Sequence, residues 1–152
     1  MLMNLLLGLP TMVLCLLLQS VLFVTVIRYY YRHEKQVNNP SFLASLGVIT
    51  SVMLLLVIGN LAQVAIWGLL FQLLGEFPHF GEAFYHSAVN FATLGYGDIV
   101  MSAEHRLLGP FESINGVLMI GVSTAALMAA FQDAMQKTIR ARETRHGGSH
   151  PG

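Results

Sequence analysis

Three long apolar stretches dominate the pattern of positions along the chain. The run from Leu2 to Ile27 is broken by little more than Asn4, Gln19 and Ser20. No charged residue occurs from Gln36 to Gly75, and a third apolar run extends from about Leu107 to Phe131. Roughly 20 apolar residues in a helix cross the hydrocarbon core of a bilayer. The pattern therefore predicts three spanning helices, and the second, over about 42–74, is long enough to tilt or protrude. Pro10 is expected to kink or end the first turns of the first helix. Between the second and third runs, Gly81 to Ala92 has the length of about three helical turns, too short to cross. A half-length apolar helix followed by irregular backbone reads as a re-entrant segment, tolerated where protein or water covers it. The expected fold class is an all-α membrane protein.

Composition agrees. Of the 152 residues 55% are apolar and 11% charged, and the mean hydropathy is +0.62. A soluble domain carries about a quarter charged residues, so an ordinary soluble enzyme, a nucleic-acid binder and a disordered chain are all excluded. The lone cysteine, Cys15, excludes a disulfide framework or a cysteine-built metal site. The first helix lacks a basic leader and a small-residue cleavage site. It ends in Arg28-Tyr29-Tyr30-Tyr31-Arg32, an interfacial belt, and is expected to be retained.

The net charge of zero hides a division. Arg28, Arg32 and Lys35 outweigh Glu34, and Lys137, Arg140, Arg142 and Arg145 outweigh Asp133 and Glu143. Between these basic segments, Glu76, Glu82, Asp98, Glu104 and Glu112 face only Arg106. Basic loops stay cytoplasmic. The 28–41 loop and the C-terminus are then inside, and the N-terminus and the 75–106 segment outside.

The outer segment carries the chemistry. After the short helix comes Thr93-Leu94-Gly95-Tyr96-Gly97-Asp98. Alternating glycines allow backbone conformations that let successive carbonyls point the same way. Such carbonyls, repeated about an axis, replace the hydration shell of a cation. The preceding helix aims its partially negative C-terminus at the same place, and the acidic outer face concentrates cations.

This hexapeptide resembles the selectivity filter of potassium channels, Thr-Val-Gly-Tyr-Gly followed by Asp. The order of helix, pore helix, filter and helix resembles the two-transmembrane pore module of that superfamily. The resemblance covers roughly residues 42–135: outer helix 42–74, pore helix 81–92, filter 93–98 and inner helix 107–135. An extra helix and loop (1–41) precede it and a short cytoplasmic tail (136–152) follows. It implies potassium sites at the carbonyls of Thr93, Leu94, Gly95 and Tyr96, with the Thr93 hydroxyl, leading to Gly97. It also implies that Tyr96 braces the filter against pore helices, where His86 and Asn90 stand in place of tryptophan and threonine. Tyr85 stands in place of the tryptophan that holds the carboxylate of Asp98. Gly121 matches the gating-hinge glycine. One filter strand cannot encircle an ion, so the resemblance implies a homotetramer. Potassium is then the permeant ligand, and no other cofactor is expected.

Plainer readings stand beside these. Gly121, Ala125, Ala129 and Asp133 recur every four residues, as pore-lining positions or as a close-packing stripe. Asp133 reads as an acidic ring or, more simply, as an interfacial partner of Lys137. Glu82 suits the positive end of the pore helix. Glu112 lies at the outer interface, behind the filter, or in a functional position. His79, His86 and His105 match no metal-ligand spacing, while His86 beside Tyr96 would make the filter sensitive to outside pH. Ser87 has no base partner in the sequence for nucleophilic catalysis, so no enzyme is expected. No arginine-studded span forms a voltage sensor, and no regulatory domain is expected in the tail. The expectation is a passive potassium channel in the plasma membrane, with a bacterial inner membrane as its setting. Its partners would be membrane lipid, copies of itself and, left open, a regulatory subunit, with no nucleic acid. A nonselective cation channel and a non-conducting subunit remain alternatives.

Overall fold

The computed structural model describes residues 2–32 and 42–147. Residues 33–41 and the segment after Gly147 lie outside the described residues, as does the side chain of Lys137. Among the described residues every regular element is a helix: α1 (Leu2–Arg32), α2 (Phe42–Leu73), α3 (Phe80–Phe91) and α4 (Leu108–Gly147). Three stretches, Leu2–Arg32, Leu46–Leu73 and Leu108–Asp133, are long and apolar enough to cross a membrane.

Two boundaries differ from the sequence-based expectation. Pro10 does not end α1, which runs through it; helices in apolar surroundings tolerate proline because neighbouring groups satisfy the freed carbonyl. The last helix continues past 135 to Gly147, since residues 136–147 contain no proline and reach a glycine only at their end.

Two compact units divide the chain. The first comprises Met1–Val21 and Val57–Val122. Its main core joins Cys15 of α1, Trp67 and Phe71 of α2, Phe77, Ala83 of α3 and Leu108 of α4. A second cluster, Val64, Phe91 and Met119, lies where α2, α3 and α4 meet. The polar interruptions of the first apolar run are crossing points. Asn4 Nδ2 donates to the Glu104 carbonyl at 2.8 Å, and Gln63 Nε2 donates to Gln19 Oε1 at 2.7 Å. Such groups find partners because an unpaired amide in an apolar interior is costly.

The second unit comprises Leu22–Leu56 and Ser123–Gly152. Val26 and Tyr30 of α1 pack with Val48, Val52 and Leu56 of α2, and Leu127 and Ala130 of α4 lie against them.

Lipid tails are as apolar as leucine, so helices in a bilayer associate through close packing and small residues. Two glycines mark such approaches to α3. A Cβ on Gly116 would lie 2.8 Å from the Phe91 carbonyl carbon, and one on Gly68 would lie 3.1 Å from Phe84 Cα. Both neighbours are backbone, which cannot swing aside. The short helix is thereby seated directly on the backbones of α2 and α4.

Candidate ion-conducting site

The site begins where α3 stops. The Thr93 N–H donates to the Asn90 carbonyl at 2.9 Å and the Leu94 N–H to the Val89 carbonyl at 2.8 Å. This is the paired bonding of a Schellman C-cap, with Ala92 as the cap and Thr93 in the left-handed position that glycine usually takes. Thr93 has φ of +57° and is the only non-glycine with positive φ among the described residues. For a β-branched residue that conformation is an outlier. It is tolerated where surrounding bonds over-determine it, and such outliers cluster at functional sites.

Positive φ then recurs at Gly95 (+58°) and Gly97 (+72°), with Leu94 and Tyr96 between them in the ordinary region. A strand that alternates hands from residue to residue stays extended while its peptide groups turn to a common side. Ala92 to Asp98 are all exposed in the single chain.

The far end of this segment is tied back to α3 at two adjacent residues. The Tyr85 hydroxyl donates to Asp98 Oδ2 at 2.7 Å. That bond holds the Asp98 carboxyl below its ordinary range and raises the Tyr85 hydroxyl above its own. His86 Nδ1 lies 2.9 Å from the Ile99 carbonyl, and Asn90 Nδ2 lies 2.9 Å from His86 Nε2. A carbonyl only accepts, so Nδ1 carries the hydrogen and Nε2 accepts from the Asn90 amide, the pattern of a neutral imidazole. The ring is buried between Phe71 and Phe77, with centroids 5.7 and 5.0 Å away. Burial moves the His86 titration below the usual histidine range, partly opposed by the Ile99 bond and by the carboxylates of Asp98 and Glu76.

His86 and Asn90 thus bond each other and Ile99 rather than Tyr96, whose side chain is 64% exposed. Ser113 Oγ of α4 donates to the Asn90 carbonyl at 2.9 Å, fixing the last turn of α3 from behind.

Elsewhere, the structure separates what the sequence left adjacent. Glu82 is exposed in the first turn of α3. Among the described residues no three His, Cys, Asp or Glu side chains gather as a metal site. His105 instead meets Glu76, with Nδ1 2.6 Å from Oε1. The same carboxylate accepts from the Ser102 N–H and hydroxyl, both at 2.6 Å. This clasp joins the turn after α2 to the loop before α4. No local pattern in the sequence marks it. Gly121, Ala125 and Ala129 are exposed in the single chain. Asp133 is half-buried and lines a cavity of about 220 Å³ with Phe23, Tyr30, Ala126 and Ala129. Ser87 and Glu112 are both fully buried and in hydrogen-bond contact.

Residues 61–133, from within α2 to the end of the apolar part of α4, match the family model described as ion channel. No curated protein and no solved structure matches the chain.

Proposed function

We propose, from the match of residues 61–133 to the ion channel family model, that the chain is a potassium-selective channel conducting passively through a homotetrameric pore. The observation that carries the reading is the Thr93–Gly97 backbone, alternating in hand and tied at both ends to α3. In the proposed tetramer the carbonyls of Thr93, Leu94, Gly95 and Tyr96, with the Thr93 hydroxyl, replace the water around potassium. The C-terminal end of α3, carrying partial negative charge, faces the same axis. In this reading α3 is the re-entrant pore helix.

The exposure of Ala92–Asp98 favours an assembly. Irregular backbone at membrane depth survives only when protein or a water-filled path covers it, and three further copies about one axis would supply both. Tyr96 would pack against the pore helix of a neighbouring copy, while His86 and Asn90 brace the filter of their own chain through Ile99. Gly121 would serve as hinge, and Ala125, Ala129 and Asp133 would line the inner path. In this reading the filter faces outward and the C-terminus the cytoplasm, which the charge division favours, and the setting is a bacterial plasma membrane.

The test is the reversal potential of reconstituted protein with potassium on one side and sodium on the other. A value close to the potassium limit is expected. A value near zero with clear current would replace this reading by the nonselective channel. No current from protein shown to be assembled would favour the non-conducting subunit.

A further inference from the structure

One buried carboxyl group takes no part in the ion path described above. Glu112 of α4 and Ser87 of α3 are both at 0% exposure. Ser87 Oγ has two neighbours that accept hydrogen bonds, the Val64 carbonyl of α2 at 2.7 Å and Glu112 Oε1. A serine hydroxyl carries one hydrogen, and a carbonyl can only accept. The Ser87 hydrogen therefore goes to Val64, and the hydrogen between Ser87 and Glu112 has to come from the carboxyl group.

The surroundings agree with that count. A carboxylate removed from water needs a cation or several donors around it. Ser87 and the Asn90 amide are neutral hydrogen-bonding groups beside Glu112, and Cys15 lies near it; none of the three is cationic. Its second oxygen, Oε2, is buried and makes no hydrogen bond.

We infer that Glu112 is a neutral carboxylic acid donating to Ser87, and that the chain Glu112 to Ser87 to Val64 positions α3 between α4 and α2, holding the filter in its selective geometry. The inference rests on the proposed channel reading. The capping bonds, Ser113 and Gly116 secure the last turn of α3; this hydrogen-bond chain secures its middle. Glu112 is a positioning residue, since it acts on the filter through the helix that carries it. Close packing at Gly68 and Gly116 sets the spacing of α3 from its neighbours but not its rotation about its own axis, which the filter segment would follow.

Glu112→Gln is the discriminating variant, because a neutral amide of the same shape still donates to Ser87. Infrared spectra of reconstituted wild type and Glu112→Gln at neutral pH should differ by the carbonyl stretch of a protonated carboxyl group, present only in wild type. In the same membranes the potassium-to-sodium permeability ratio should stay within about twofold in Glu112→Gln and fall about tenfold in Glu112→Ala and Ser87→Ala, the loss expected for one buried hydrogen bond. Should the alanine variants fail to assemble, Ser87→Cys, a near-isostere with a weak donor, should lower the ratio instead. Absence of the carboxyl band overturns the inference. So does a Glu112→Gln protein that fails to assemble or is as unselective as the alanine variants. Wild type that is itself unselective refutes the channel reading, and the infrared comparison then decides the protonation state alone.

Discussion

Gly116 and Gly121 share one helix, and their surroundings differ completely. A side chain on Gly116 would strike the backbone of Phe91, whereas a Cβ on Gly121 meets nothing within 4 Å. Gly116→Ala should therefore lower stability by roughly 1–3 kcal/mol, the range for overpacking a close contact. Gly121→Ala should leave it unchanged or raise it by up to about 1 kcal/mol, because alanine is the better helix former. Thermal unfolding of the two variants in the same detergent checks this contrast. Equal losses would show that the α3–α4 approach is looser than described. Thr93 presents the opposite balance. Its left-handed backbone costs about 1–2 kcal/mol that glycine would not incur. Thr93→Gly should raise the unfolding temperature while lowering the potassium-to-sodium permeability ratio, because the hydroxyl proposed at the ion site is lost. A variant that is both more stable and equally selective would remove Thr93 from the site.

At the scale of elements, α3 is held by contacts from both of its long neighbours, and the 93–98 segment is tied to α3 at each end. The Glu76 clasp adds a further restraint, between the turn after α2 and the loop before α4. Burial alone would raise the Glu76 carboxyl, but the Ser102 hydroxyl and N–H together with His105 outweigh it and hold it below the ordinary range. A group depressed in the folded state stabilises fully above the unfolded carboxylate value, about 4.3 for glutamate. That contribution fades as pH falls through the folded value. The unfolding temperature of wild type should drop over this acid window by more than that of Glu76→Gln, which has no charge to lose. Parallel curves would mean that the clasp contributes nothing. The first helix also gains a visible part, since Asn4 reaches the loop before α4 and Gln19 pairs with Gln63. The polar residues in its apolar run are therefore contacts rather than noise in the pattern.

For the whole molecule, the exposed segment 92–98 bears on how many chains assemble. Tyr96 and Leu94 are large apolar side chains, 64% and 53% exposed, beside an irregular backbone. Neither lipid nor water suits both parts of that surface, and a symmetric assembly does. Cross-linking in membranes should stop at the mass of four chains. A series that stops at two, or runs on without limit, would refute the proposed tetramer.

Three spanning helices and a short fourth were legible in the chain itself, because hydropathy and length are local properties and α3 differs from its expected limits by one residue at each end. The hexapeptide 93–98 could be singled out for a similar reason, since alternating glycines act on their own dihedral angles. The helical tail to Gly147 was missed because its polar residues hide a propensity that apolar patterning does not report. Nothing local could pair Ser87 with Glu112, 25 residues away, or Glu76 with His105, 29 residues away. Nor does an isolated glycine reveal that Gly116 sits against a backbone and Gly121 against nothing. Composition and periodicity determine which segments become helices and where a membrane takes them up. Only folding decides which side chains meet. Burial then decides what their proton count and their lack of space must be, because contact distance and dielectric depend on neighbours that the chain brings from far away.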